Sequence, residues 1–375
     1  METTKKFRIF TSVQTTAPMH IASPEKKRYD AEKNKFASVG GVECTSIQRM
    51  QLPSVGFSGE KDGQSYAFNK DVPVIPGNNL NGHLRRHAAN IVLDAIGQRG
   101  EKVSITTYAA MECGAATGKP DAAMVKFDEY RETRVHPFLG LFGGGPRMMR
   151  RNVRTHNAVP LTSDTREFIF SNAKMRHPLI EWELGAKPYF IEDGLDITQA
   201  WTFTRKDDVK NAVDISRMSS SIADFENKMR EYQAKLLVER GEKEAGEQSA
   251  RSSTVTYSAM EFVLPGVHFL TCFELDVTDA QMGLFLLALD SFAETDRIGG
   301  WVRNGFGTFI LQNTVLQDAV TGDVTPIFNN GRLNREAVKP YIDAWDTAQE
   351  TITGAGLDHL MRLPVEKEVK DKKAA

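Results

Sequence analysis

The sequence predicts an α+β fold: an antiparallel sheet with two helices on one face, in the order strand, helix, strand, strand, helix, strand. Three observations predict it. Apolar and polar residues alternate over residues 7–16; apolar residues recur at helical spacing from Leu80 to Ala95; and extended apolar stretches return on both sides of Pro265-Gly266. This is the ferredoxin-like (RRM-like) order, a skeleton that in RNA-recognition domains leaves one sheet face free for nucleic acid. Of the 375 residues, 41% are hydrophobic and 26% charged, enough apolar mass for a real core. Disordered and fibrous chains are thereby excluded.

The elements follow in order. Over residues 7–16, Phe7, Ile9, Val13 and Thr15 fall on one side of a strand, and Arg8, Ser12 and Gln14 on the other. Residues 23–71 are polar, charged and glycine-containing, which predicts a long excursion with little regular structure. A helix follows, with Asn78 as its N-cap and a stripe of Leu80, Leu84, Ala88, Ile91 and Ala95. The glycines from Leu139 to Pro146 predict a tightly approached backbone rather than a helix interior. Residues 150–159 read as extended. A second excursion, 164–253, holds a helix near 222–239 and a polar, mobile tip at 240–253. Strands at 255–264 and 267–277 flank the Pro265-Gly266 turn, and Asp279 caps an apolar helix running to Phe292. A last strand covers 305–315, a helix 334–351, and a charged disordered tail 364–375.

No uninterrupted apolar run is long enough for a membrane span, and no signal peptide is visible at the start. The three cysteines, Cys44, Cys113 and Cys272, form neither a CxxC pair nor a disulfide framework, which predicts a reducing cytoplasm and no structural zinc.

The net charge is −2, from 47 basic and 49 acidic side chains, which on average does not suggest nucleic acid. The distribution does. Residues 72–93, 133–163 and 297–317 contain no Asp or Glu. The first window holds His83, Arg85, Arg86 and His87; the second Arg134, Arg147, Arg150, Arg151 and Arg154; the third Arg297 and Arg303. Such windows predict one positive groove on a nearly neutral molecule, although basic residues also cluster on ordinary solvated faces.

Three motifs lie in these windows. In Ile75-Pro76-Gly77-Asn78-Asn79-Leu80-Asn81-Gly82-His83-Leu84-Arg85-Arg86, the Pro-Gly turn opens a helix whose unpaired N–H groups favour a phosphate, with Arg85 and Arg86 close behind. A plain capped helix with two surface arginines would read the same. In Gly299-Gly300-Trp301-Val302-Arg303-Asn304-Gly305-Phe306-Gly307, four glycines around an arginine let the backbone approach a ligand. It is neither a P-loop nor a Rossmann loop, and a glycine-rich hairpin turn is the alternative. In the run from Phe142 to Arg154, Gly143-Gly144-Gly145 precedes arginines alternating with Met and Val, a pattern for a backbone groove or a charged strand edge.

Catalytic sites are hard to build. His83 and His87 share a helix face at metal-ligand spacing, but no third ligand presents itself, and a pair contacting phosphate or water is the favoured reading. There is no nucleophile elbow, and nothing marks a cysteine as reactive. No cofactor, metal or catalytic residue is expected.

In this order the pieces resemble the RAMP (repeat-associated mysterious protein) superfamily, and within it the Cas-seven-like backbone subunit of multi-subunit CRISPR effector complexes. Thr16-Ala17-Pro18-Met19-His20-Ile21 resembles the ending TPLHIG of that group's first strand, and residues 75–84 its helix entry IPGSSLKG, with Asn78-Asn79 in place of two serines and Asn81 where Lys is common. Leu141-Phe142-Gly143 resembles its LFG, and residues 299–309 its C-terminal glycine loop and strand. The pieces cover residues 7–21, 75–87, 139–160 and 299–311; order alone covers the rest. The Asn-Asn entry and the triple glycine are most similar to the type IV version, associated with plasmids.

The resemblance implies a single enlarged domain over 1–375. Its parts are a palm (1–22, 72–163 and 254–318), a lid or web (23–71), a thumb-containing insertion (164–253), a C-terminal helical segment (319–363) and the tail. It also implies a cytoplasmic, non-catalytic subunit that binds a CRISPR guide RNA (crRNA) and stacks head to tail with further copies in a helical filament. The guide is displayed for pairing with invading DNA or RNA, in antiviral defence or plasmid interference. Implied partners are a Cas-five-like cap, a large or small subunit, the target strand and a helicase, with no membrane. The implied RNA-binding residues are His20, Asn78, Asn79, Asn81, His83, Arg85, Arg86, Gly144, Arg147, Arg150, Arg151, Arg154, Gly300, Arg303, Asn304 and Gly305. RNA-cutting relatives carry an Asp in the first insertion; here Glu43 follows Gly40-Gly41-Val42, and Glu60, Asp62 and Asp71 lack a supporting motif. The alternative reading is a RAMP endoribonuclease, cutting target RNA through such a carboxylate or processing guide RNA through His20.

Overall fold

The structure is a computed structural model that describes residues 3–30, 32–37, 41–61, 64–114, 127–145, 149–172, 174–180, 196–206, 221, 223–224, 227–228, 231 and 255–362. The strands are β1 (Lys5–Thr15), β2 (Ala22–Asp30), β3 (Lys35–Ala37), β4 (Val42–Ile47), β5 (Arg49–Lys61), β6 (Gln64–Pro73), β7 (Val153–Thr155), β8 (Val159–Pro160), β9 (Thr198–Lys206), β10 (Val255–Val263), β11 (His268–Val277), β12 (Phe309–Asp318), β13 (Val324–Pro326), β14 (Phe328–Asn329) and β15 (Arg332–Leu333). The helices are α1 (Gly77–Gln98), α2 (Ile105–Cys113), α3 (Phe127–Val135), α4 (Pro137–Phe142), α5 (Ser163–Ser171), α6 (Asp279–Thr295), α7 (Lys339–Gln349) and α8 (Gly354–Leu360). The mixture is α+β with antiparallel pairing dominant. Two compact units divide the chain: Met1–Pro24, Ile47–Gln199 and Phe262–Ala375 in the first, Glu25–Ser46 and Ala200–Glu261 in the second.

The first unit is built on a sheet in the order β13-β12-β1-β11-β7, with β8 also on β11. β1 runs antiparallel to both neighbours, so Ile9 stands opposite Phe273 on one side and Leu316 on the other. α1 connects β1 to the far-edge strand β7, α6 connects β11 to β12, and the two helices pack together. Beneath them Phe7, Ile9, Val13, Phe273 and Phe309 meet Leu80, Leu84, Phe285 and Leu289. Along α1 the fully buried row is Leu80, Leu84, Ala88, Val92 and Ile96, while the expected Ile91 and Ala95 are half-buried. Packing against a crossing helix follows the four-residue ridge.

The opposite face of this sheet is also covered, contrary to the expectation of a free one. Phe10, Leu270, Cys272 and Val315 pack there against Leu52, Val72, Val74, Leu161, Ile169 and Ile180. Burial on both faces breaks the expected alternation: Ser12 is fully buried, with its Oγ 3.0 Å from His268 Nδ1.

Other elements differ from the sequence reading. Residues 23–71 contain five strands rather than little structure, and β5 and β6 pair with each other as a separate two-stranded sheet. β2 and β3 are mostly exposed, and exposed strands need few apolar residues, which hid them. Strands β10 and β11 do not form a hairpin across Pro265-Gly266; β10 lies between β4 and β9, and β11 between β1 and β7. The cap of α6 is Thr278, reciprocally bonded with Gln281, whereas Asp279 is the first helical residue and pairs with Lys5 at 2.8 Å. Leu139–Phe142 are helical because Nδ1 of His136 accepts the N–H groups of Phe138 and Leu139 at 3.2 Å, starting α4. α7 starts only at Lys339, with Pro340 in its first turn, where a missing N–H costs nothing. The helix expected at 222–239, the tip at 240–253 and the tail at 364–375 fall largely or wholly outside the described residues.

The second unit is a sheet in the order β3-β2-β4-β10-β9, with β10 parallel to β4. Its small core is Tyr29, Cys44, Ala200 and Ala259, and burial pushes the Cys44 thiol up to about 11. A thiol held protonated there is no nucleophile.

Candidate nucleic-acid interface

A run of main-chain hydrogen bonds in the first unit joins motifs far apart in sequence. Gly300 donates to the His20 carbonyl at 2.7 Å, Gln48 donates to Ile21 at 2.8 Å, Val74 donates to Gln48 at 3.0 Å, and Ile75 and Ala158 exchange bonds at 3.1 and 2.8 Å. The first-strand ending, the helix entry and the C-terminal glycine loop are thus neighbours along one rim. Gln48 and Asn157, which complete it, carried no motif signal.

At the helix entry, Asn78 is not the cap. Pro76 occupies that position without a side-chain bond, and Asn157 Oδ1 accepts the Gly77 N–H at 2.8 Å. Gly77 is required by proximity: a Cβ there would lie 2.3 Å from the Thr155 carbonyl oxygen. The N–H groups of Asn79 and Leu80 both turn to the Pro76 carbonyl, leaving Asn78, which is exposed, with the open amide of the first turn. Asn79 is half-buried and Asn81 buried, and neither Oδ1 has a partner.

The C-terminal loop is pinned by main chain. Gly299, at φ +91°, has no room for a Cβ, which would sit 2.2 Å from the His20 carbonyl oxygen; Gly307, at φ +81°, meets Ile298 equally closely. Gly305, at φ +82°, has nothing within 4 Å of its Cβ position, so it is glycine for its left-handed backbone. Trp301 holds φ +61°, a costly value for an aromatic residue. Arg303 and Asn304 sit exposed on a single 3-10 turn. His20 itself is buried, 2% exposed, and lies beneath the loop.

Two sequence candidates are removed from the interface. Arg85 is 5% exposed, and its guanidinium donates to the carbonyls of Ala110, Met111, Phe142 and Gly143 at 2.7 to 2.9 Å. It gathers the C-terminal ends of α2 and α4 and does not reach a phosphate; burial pulls it down to about 10. His83 is likewise internal. Its Nδ1 and the Nε2 of His87 lie 2.5 and 3.1 Å from Oδ2 of Asp296, and His87 Nδ1 reaches Ser291. Burial pushes the Asp296 carboxyl up, but the bonds from His83 and His87 outweigh it and hold the carboxyl well below the usual range. The pair anchors the loop's entry to α1. Asp296 was readable as the carboxylate bordering the third acid-free window.

Arg86, Arg150, Arg151 and Arg154 are exposed. Gly144 exchanges main-chain bonds with Met149 at 2.8 and 3.1 Å, closing a turn just before the arginines, and Arg147 lies outside the described residues. β7 carries the chain from these arginines to Asn157 at the helix entry. The His20–Gly300 run lies beyond the Thr15 end of β1, whereas Arg150 and Arg151 precede Asn152, which meets Asp276 near the Lys5 end; β7 spans between these two places, and each offers groups that can hold a phosphate.

No family model matches the chain, and no curated protein matches it. Among solved structures, a chain of "Type IV-B CRISPR Complex" is similar over 88% of this chain and 94% of its own, at 15% identity and TM-score 0.44. A chain of "Cryo-EM structure of the Type III-B Cmr-beta bound to cognate target RNA" is similar over 83% of this chain and 61% of its own, at 10% identity and TM-score 0.33. Both likenesses are distant.

Proposed function

We propose that the chain is a non-catalytic, guide-RNA-binding backbone subunit of a CRISPR effector complex of type IV character, stacking with copies of itself along the guide. One observation carries the reading: the main-chain run from Gly300 through His20 and Ile75 to Ala158, which gathers the motif pieces resembling the RAMP superfamily onto one rim. The strand order β12-β1-β11-β7, with α1 and α6 as crossovers, supports reading the first unit as a ferredoxin-like palm. The insertion expected to hold the thumb, 164–253, lies largely outside the described residues, and the β5–β6 hairpin belongs to the insertion read as a lid or web. In this reading RNA phosphates run from Arg303 past Asn78 and along β7 to Arg150 and Arg151, and base pairing supplies the sequence reading.

The non-catalytic reading is supported by the carboxylates of the first insertion. Glu43 pairs with Lys26 at 2.8 Å on an exposed surface, and Asp71 is exposed at the end of β6. The test is purification of the expressed protein with its nucleic acid. RNA of defined length, lost on combined Arg150→Ala and Arg151→Ala substitution, is expected. Incubated with labelled complementary RNA and a divalent cation, the assembled particle should leave it intact. Regularly spaced cuts abolished by Glu43→Ala or Asp71→Ala would replace this reading with the endoribonuclease one.

A further inference from the structure

Among the described residues, strand β12 has a neighbour along only half of its outer edge. β1 pairs with it from Phe309 onward, whereas β13 covers Val315 to Gln317. Main-chain directions alternate along an antiparallel ladder, which determines what the open half presents. Thr16 donates to the Thr308 carbonyl at 2.9 Å, and Ile310 and Gln312 stand opposite Gln14 and Ser12, so these positions turn toward β1. Leu311 and Asn313 therefore turn outward. The Asn313 carbonyl is met by His177 Nε2 at 2.5 Å, as the alternation requires. The N–H and C=O of Leu311 face a cavity of about 510 Å³.

The cavity walls select an occupant. Leu179 and Ile310 are 49% and 39% exposed there, Phe328 stands on another wall, and the Asn330-Gly331 turn between β14 and β15 borders it. No charged side chain is among the described lining residues. An outward main-chain pair in an uncharged, partly apolar groove is matched by another extended chain, which supplies a C=O and an N–H of its own. Nucleic acid would bring phosphates to a groove whose described lining residues include no cation to receive them.

We propose that this groove takes a short extended segment of a partner protein, uncharged and with apolar side chains, which adds a strand to β12. The inference does not depend on the RNA-binding reading. It is tested with a fluorescein-labelled peptide of alternating valine and threonine, capped at both ends with lysine for solubility, titrated with the full-length protein and followed by anisotropy. Saturable binding is expected, weakened at least tenfold when proline replaces the central valine, because proline has no N–H to donate. Ile310→Arg, on an exposed side chain, should weaken binding by a similar factor, and Arg151→Ala should leave it unchanged. The proposal is overturned by no saturable binding, by equal binding of the proline peptide, by unchanged affinity of Ile310→Arg, or by displacement of the peptide by single-stranded RNA.

Discussion

The two glycine-rich loops of the first unit carry the same sequence signal, glycines beside arginines, and are held in different ways. The loop at Gly143–Gly145 is held from within: Arg85 binds the Phe142 and Gly143 carbonyls, and its nearest neighbours are the backbone of Met149 and Arg151. The loop at 299–307 is held by main-chain bonds to Pro18 and His20, which leaves Arg303 exposed. The arginines beside either loop in sequence, Arg150, Arg151 and Arg303, are exposed, whereas the one that binds the first loop, Arg85, comes from a distant helix and collects helix-end carbonyls. What separates the two kinds is whether carbonyls converge on the guanidinium.

The largest test of that difference is Arg85→Ala. It strips a donor from four carbonyls, of which that of Ala110 keeps the Gly114 N–H, and should cost about 3 kcal/mol or more in urea unfolding, since each orphaned group costs roughly 1–3 kcal/mol. Arg303→Ala should change stability by less than about 0.5 kcal/mol while lowering RNA retention. Equal stability losses for the two would erase the contrast.

Within the second loop, Gly299→Ala should destabilise by about 2–5 kcal/mol, combining a clash at the His20 carbonyl with a left-handed backbone. Gly305→Ala has only the backbone cost, about 1–2 kcal/mol. A larger effect at Gly305 on RNA retention than on unfolding would mean that the ligand, not the protein, comes close to it.

The first loop should also be the more acid-sensitive. His136, which caps α4 on the way into it, is held by burial at about 4 against an ordinary 6.5. The unfolded chain takes up this proton first, so stability falls as pH drops from 6.5 toward 4, by about 1.4 kcal/mol per pH unit. His177, also lowered by burial to about 4, adds a similar slope. Unfolding measured across this range should lose about half of the combined slope in His136→Asn.

The smallest expected effect is on the salt dependence of RNA release. Each of Arg150→Ala and Arg151→Ala should flatten the log–log slope by about 0.7, the value for one phosphate contact on a single strand, with stability unchanged. A slope unchanged in both would detach these arginines from the rim.

How much of this was readable beforehand differs from residue to residue. α1 announced itself because its one buried row imposes a period on its side chains, while β1, β11 and α6, buried on nearly every side, were readable as apolar stretches. β2 and β3 were not, because charge on their exposed faces masks any period. The pinned glycines at 299 and 307 were readable as close-approach positions, whereas Gly305, chosen beforehand for that role, has open space. Arg85 could not be told from Arg86, its sequence neighbour, since one step around a helix separates buried from exposed.

Local chemistry in the chain determined which segments turn, which form helices, where carboxylates are excluded and which residue types border the glycine loops. Those properties depend on neighbours within a few positions. Only the tertiary structure decided that both sheet faces are covered, that Asn157 rather than Asn78 serves the entry of α1, that Asp296 binds His83 and His87, and that β12 keeps an open edge. Each of these depends on groups tens to hundreds of residues apart competing for the same hydrogen bonds and the same buried space, which no local pattern records.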